Sequence, residues 1–84
     1  MYYVYLLYSL RLDEFYLGYS SDLKKRIWQH QSGKNKSTKQ TDDWILAYYE
    51  AYLTESLARS RESKLKRSGK AYVSLKERVR NSIK

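Results

Sequence analysis

S-S-D-L-K-K-R-I-W-Q-H-Q, residues 20–31 of an 84-residue chain, reads as one short helix that carries the only histidine. Ser20 or Ser21 is placed to cap its first backbone N–H groups, and Asp22 puts negative charge where the helix dipole favours it. Leu23 and Ile27, four residues apart, mark the inward face. Arg26 and His30, also four apart, become neighbours along one edge of that face. A planar guanidinium and an imidazole held side by side on a rigid element suit a negatively charged reacting group. The plain alternative is a surface arginine beside a half-buried histidine, and this helix alone does not choose between them.

Working outward, Tyr2–Tyr8 is aromatic and branched with no helical stripe, which predicts a strand. Both its faces are apolar, as in a central strand covered on two sides. Ser9–Glu14 turns the chain into a second strand, Phe15–Tyr19. There Tyr16 and Gly18 share one face while Phe15, Leu17 and Tyr19 share the other. Gly18 beside an outward tyrosine marks either a bulge or a cleared space for close approach to the backbone. After the helix, Gly33 is placed to end it in the left-handed conformation and open a basic loop over residues 32–43. Trp44–Leu53 is a third strand, apolar on both faces. Thr54 caps a second helix reaching Arg67 or Ser68, with Gly69 as terminator. Its inner stripe is Leu57, Ala58 and Leu65, with Arg61 inside the stripe and Glu62 at its edge. A last helix runs from about Ala71 to Ser82 on Tyr72, Leu75, Val79 and Ile83. The order β-β-α-β-α-α, with no proline and no linker, predicts a single α/β (α+β) domain over residues 1–84: a small, three-stranded, mainly antiparallel sheet carrying three helices.

Charge and composition narrow the partner. There are 17 Lys and Arg against 9 Asp and Glu, a formal charge of +8. Lys24, Lys25, Arg26, Lys34, Lys36 and Lys39 lie between Asp22 and Asp42 with no acidic residue among them, and ten more basic residues follow from Arg59 to Lys84. Two blocks of one sign on a small domain attract polyanions, and ten tyrosines and two tryptophans offer stacking surfaces, so nucleic acid is the expected partner. The absence of cysteine excludes a disulfide framework and a thiolate metal site. No apolar run approaches the roughly 20 residues of a membrane span. The start M-Y-Y-V-Y-L-L-Y lacks a charged leader and fits a strand better than a signal peptide. A soluble, cytoplasmic protein is expected, with no membrane partner and no small-molecule cofactor.

The strand with Tyr3-Val4-Tyr5, followed by Tyr16-Leu17-Gly18, resembles the paired tripeptides that name the GIY-YIG nucleases. The helix with Arg26 and His30, and the later helix with Glu62 in A-R-S-R-E-S-K-L-K, fall where that family places its remaining active-site residues. The likeness extends to about Lys70 and is nearest to the stand-alone, single-domain bacterial members. Two departures are visible. Tyr3 replaces the first glycine and Val4 and Leu17 replace isoleucine, while Asn81, the only late asparagine, does not align with one that several members carry after the glutamate.

The resemblance implies a DNA endonuclease dependent on Mg²⁺ or Mn²⁺, non-specific or structure-preferring, with RNA left open as a substrate. Glu62 would hold the metal, although Glu62 and Lys66 also make an ordinary i,i+4 helix pair. Arg26 would clamp the scissile phosphate. Tyr5 and Tyr16, on adjacent strands, would bring two hydroxyls to one side of the sheet. Tyr5, Tyr16 and His30 all remain candidates for the general base. Lys34, Lys36, Thr38 and Lys39 would touch flanking phosphates, which position a strand and carry no sequence information. The alternative function is a non-catalytic nucleic-acid-binding module of the same fold. The sequence sets no oligomeric state.

Overall fold

Tyr2–Ser9 (β1) is the middle strand of the sheet, as its two apolar faces require. A computed structural model describes residues 1–83, with Ser37 described by its backbone alone; Lys84, the last of the basic block, lies outside the described residues. Glu14–Ser20 (β2) and Ile45–Tyr52 (β3) flank β1, both antiparallel to it. Leu23–Gln31 (α1) follows β2, and a single 3₁₀ turn over Lys36–Thr38 breaks the basic loop. Glu55–Arg67 (α2) and Gly69–Ile83 (α3) complete the order β-β-α-β-α-α. The fold is therefore the α+β one that the sequence predicts. No helix among the described residues is long and apolar enough to cross a membrane.

The period-two alternation of β1 divides the interior into two cores. Val4 and Leu6 point to one face, where they meet Leu17, Ala58, Leu65, Leu75 and Val79 under α2 and α3. Tyr5 and Leu7 point to the other, where they meet Trp44 and the partly buried Tyr16, Leu23, Ile27 and Leu46 under α1. Such sharing buries β1 on both faces from Val4 to Ser9. Antiparallel register sets Tyr5 opposite Gly18 and Leu7 opposite Tyr16, so Tyr5 and Tyr16 are diagonal neighbours on the α1 face.

Three local expectations are corrected. Asp22, not Ser20 or Ser21, caps α1: its backbone is extended and its carboxylate accepts the Lys25 N–H at 3.1 Å. Ser20 turns inward instead, and its hydroxyl oxygen accepts the Asp22 N–H at 3.0 Å. Ser68 rather than Gly69 ends α2, since its extended backbone breaks the helix, while its hydroxyl oxygen accepts the Ala71 N–H at the start of α3. The third strand forms as expected, at an edge of the sheet, and leaves Ile45 and Tyr49 exposed. Leu57 is also exposed, because the inward line of α2 is a narrow one through Ala58 and Leu65.

Candidate active site

Tyr5 occupies the space that Gly18 leaves open. A Cβ added at Gly18 would lie 2.6 Å from the Tyr5 hydroxyl oxygen and 2.7 Å from its Cζ, so no side chain fits there while the phenol stays. The cleared room beside the glycine is thus taken up by the opposite strand's own tyrosine. No bulge interrupts the β1–β2 pairing at this point.

His30 lies in the last turn of α1, fully buried behind Tyr5. Its Nε2 is 3.0 Å from the Tyr5 hydroxyl, and its Nδ1 is 2.6 Å from the Thr38 hydroxyl. The Tyr16 ring lies alongside, with centroids 4.9 Å apart. Burial, and after it the nearby Arg26 guanidinium, pulls the imidazole down to about 4, so His30 is neutral at pH 7. The same burial pushes the Tyr5 phenol well above its ordinary value. Tyr16 and Glu62 push it further up, while Arg26 opposes them.

Arg26 sits one turn before His30 and is half-buried. It borders a hollow of about 320 Å³ together with Tyr5, Tyr16, Gly18, Glu55 and Glu62. The hollow opens beside the last residues of β2, within reach of both α1 and α2 although these helices cover opposite faces of the sheet. Glu62 arrives from α2 with its side chain 17% exposed, and Lys66 is its ion-pair partner at 3.6 Å. That separation is longer than a hydrogen bond and leaves the carboxylate oxygens able to accept another ligand. No group of three or more His, Cys, Asp or Glu side chains suited to a metal occurs among the described residues. The donors facing the hollow are carboxylate and phenol oxygens, which suit a hard cation that keeps much of its water.

Size does not select this hollow. A groove of about 590 Å³ between β3 and α3 is larger, but its lining, Leu46, Leu75 and Val79 among it, includes no carboxylate and no histidine.

Four of the five expected side chains, Tyr5, Tyr16, Arg26 and Glu62, border one hollow, and Gly18 lies beside them. His30 does not reach it: it lies behind Tyr5, to which it is hydrogen-bonded, and against the Tyr16 ring, both of which border the hollow. Lys34, Lys36 and Lys39 are exposed on the basic loop. Thr38 is a correction: it is 1% exposed and bonded to His30, so it cannot lie against a phosphate at the surface. Nothing in the run K-S-T-K marks that inward turn. Glu55 is a further addition, visible in sequence only as the first residue after the Thr54 cap. Asn81 is exposed on α3 and does not border the hollow.

Arg61, placed within the α2 stripe by its spacing, is half-buried and has a structural partner. Its Nε and Nη2 donate to the two carboxylate oxygens of Glu50 on β3 at 2.9 and 3.1 Å. Tyr48 and Tyr52 donate to the same carboxylate at 2.5 Å each. Burial alone would raise the Glu50 carboxyl, but these four bonds outweigh it and hold the group at about 2.

Residues 1–77 match the family model described as the GIY-YIG catalytic domain. Comparison with curated proteins and with solved structures returns no match.

Proposed function

The chain belongs to the GIY-YIG nuclease family, and on that premise we propose that it is a divalent-metal-dependent endonuclease that hydrolyses DNA phosphodiester bonds, acting as a single domain and without sequence readout. The observation that carries this reading is the meeting of Tyr5, Tyr16, Arg26 and Glu62, from β1, β2, α1 and α2, around one hollow. A structural role for each residue would not require four elements to deliver polar groups to one place.

Each residue then has a task. Arg26 grips the scissile phosphate with a planar, permanently charged fork and meets the charge that builds on its oxygens. Glu62 would hold Mg²⁺ or Mn²⁺, which would supply positive charge against the phosphate and make a nearby water more acidic. Tyr5 orients the attacking water and takes its proton as the new P–O bond forms, and the leaving oxygen recovers a proton from solvent in the hollow. Tyr5 is a neutral phenol, since burial, Tyr16 and Glu62 hold its proton on against the pull of Arg26. A cation held by Glu62 would offset that carboxylate's charge, leaving Arg26 to favour loss of the phenolic proton. Tyr16 contributes a second hydroxyl to the phosphate. Lys34, Lys36 and Lys39 hold flanking phosphates and carry no sequence preference.

The test is a panel of nicked, flapped, branched, duplex and single-stranded DNA, with RNA alongside, incubated with Mg²⁺, Mn²⁺ or EDTA. Glu62→Gln, which keeps the side chain's shape, should retain the fold and most binding while losing cleavage. Cleavage by that variant at the unaltered rate removes the metal assignment. Binding of nucleic acid without any divalent-dependent product across the panel replaces the endonuclease with a binding module of the same fold.

A further inference from the structure

His30 is bonded at both ring nitrogens, and a neutral imidazole has one N–H and one lone pair to offer. Two arrangements follow. In the first, Nδ1–H donates to the Thr38 hydroxyl oxygen and the Tyr5 hydroxyl donates to Nε2. In the second, the Thr38 hydroxyl donates to Nδ1, and Nε2–H donates to the Tyr5 oxygen.

Thr38 distinguishes them. It is 1% exposed, and among the described residues its hydroxyl has no partner other than Nδ1. In the first arrangement the Thr38 hydroxyl proton is buried with no acceptor among the described residues. In the second it is satisfied, and the phenolic proton of Tyr5 points into the hollow, where solvent can receive it. The difference is one orphaned buried hydroxyl, enough to make the first arrangement the minority by about fivefold or more. Thr38 has little freedom to escape the choice. Its carbonyl accepts the buried Trp44 Nε1–H at 2.9 Å, its N–H donates to the Asn35 carbonyl at 3.2 Å, and a β-branched side chain is stiff at its first torsion.

We propose that Thr38 is a positioning residue that fixes His30 as the Nε2–H tautomer, so that the imidazole donates to Tyr5 and is not the base. The consequence for catalysis rests on the function proposed above. A donor aimed at the phenol oxygen favours the phenolate over the phenol, so proton acceptance falls to Tyr5. The proton that Tyr5 gives up leaves through the hollow, and the imidazole neither gains nor loses one.

The single histidine makes the tautomer directly measurable. In the full chain labelled with ¹⁵N-histidine, two-bond ¹H–¹⁵N correlation at pH 7 separates a protonated ring nitrogen from a bare one. The expected result is a protonated Nε2 and a bare, hydrogen-bonded Nδ1, unchanged in Thr38→Ser. A protonated Nδ1 in the unaltered chain overturns the proposal, whether or not the protein cuts DNA. Thr38→Val should shift the Nδ1 resonance and lower cleavage tenfold or more, with Thr38→Ser restoring both. Unaltered cleavage by a folded Thr38→Val chain also overturns it. The spectrum needs no variant and no activity, so a chain with the expected tautomer and no cleavage would sink the nuclease reading alone.

Discussion

Gly18 faces the Tyr5 phenol so closely that even a methyl group is excluded. A Cβ there meets the hydroxyl oxygen and Cζ at 2.6 and 2.7 Å, and Tyr5 has nowhere to retreat, being 2% exposed and bonded to His30. Gly18→Ala should therefore cost about 1–3 kcal/mol, the range for overpacking a filled interior. It should also displace the phenol that the proposed chemistry uses. Urea unfolding and a cleavage assay on the same preparation check both, and an alanine variant with the original midpoint and rate would show that the ring can move aside. The sequence made Gly18 legible as a bulge or a place of close approach, because a glycine within an aromatic strand needs a reason. It could not say what approaches, since that depends on the register placing Tyr5 opposite. Thr38 was illegible for a stronger reason: a hydroxyl among lysines looks like surface until the loop is seen to fold back on α1.

At the scale of elements, α2 matters most, because it alone brings a carboxylate from the far face of the sheet to the hollow. Thr54 caps its first turn by accepting the Leu57 N–H at 3.2 Å, and Ala58 and Leu65 anchor it in the core. The Arg61–Glu50 pair fixes it against β3, one residue before Glu62. Arg61→Leu strips two charge-assisted bonds from Glu50 and should destabilise the chain by about 1–3 kcal/mol. Cleavage should fall with it, through misplacement of Glu62, while DNA binding at low salt changes little. Chemical denaturation, cleavage and filter binding separate those effects. Unchanged unfolding would mean that Tyr48 and Tyr52 alone satisfy Glu50. The elements themselves were readable, since apolar spacing and Thr54 announce α2 and since two apolar faces announce β1. The role of Ser68 and the edge position of β3 were not. A serine that ends one helix and starts the next competes with a neighbouring glycine for the same reading, and β3 is as aromatic as β1 although only one side of it pairs.

Over the whole molecule, net charge and acid response follow from different groups. The exposed lysines of the basic loop give the expected DNA affinity its salt dependence. Lys36→Ala should weaken binding evenly across sequences and lower the slope of log affinity against log salt by about one. Acid stability depends instead on buried or bonded groups. His30 is held neutral, at about 4 against an ordinary 6.5, so the unfolded chain binds more protons than the folded one between those values. Its contribution is complete above pH 6.5 and is lost as pH falls toward 4, by up to about 3 kcal/mol. Asp43, which accepts from Ser9, Thr41 and the Arg11 N–H, and Glu50 are each held at about 2. Their contributions are present above the ordinary carboxylate range and are lost only as pH drops through it toward 2. Acid should therefore weaken the fold in two separated stages, the first due to one histidine. Urea midpoints measured from pH 7.5 to 3 should fall first between 6.5 and 4.5, and a His30→Asn chain that still folds should lack that first fall. A flat midpoint down to pH 4.5 in the unaltered chain would mean that the imidazole can charge in place, and that the Thr38–His30–Tyr5 chain is not held neutral.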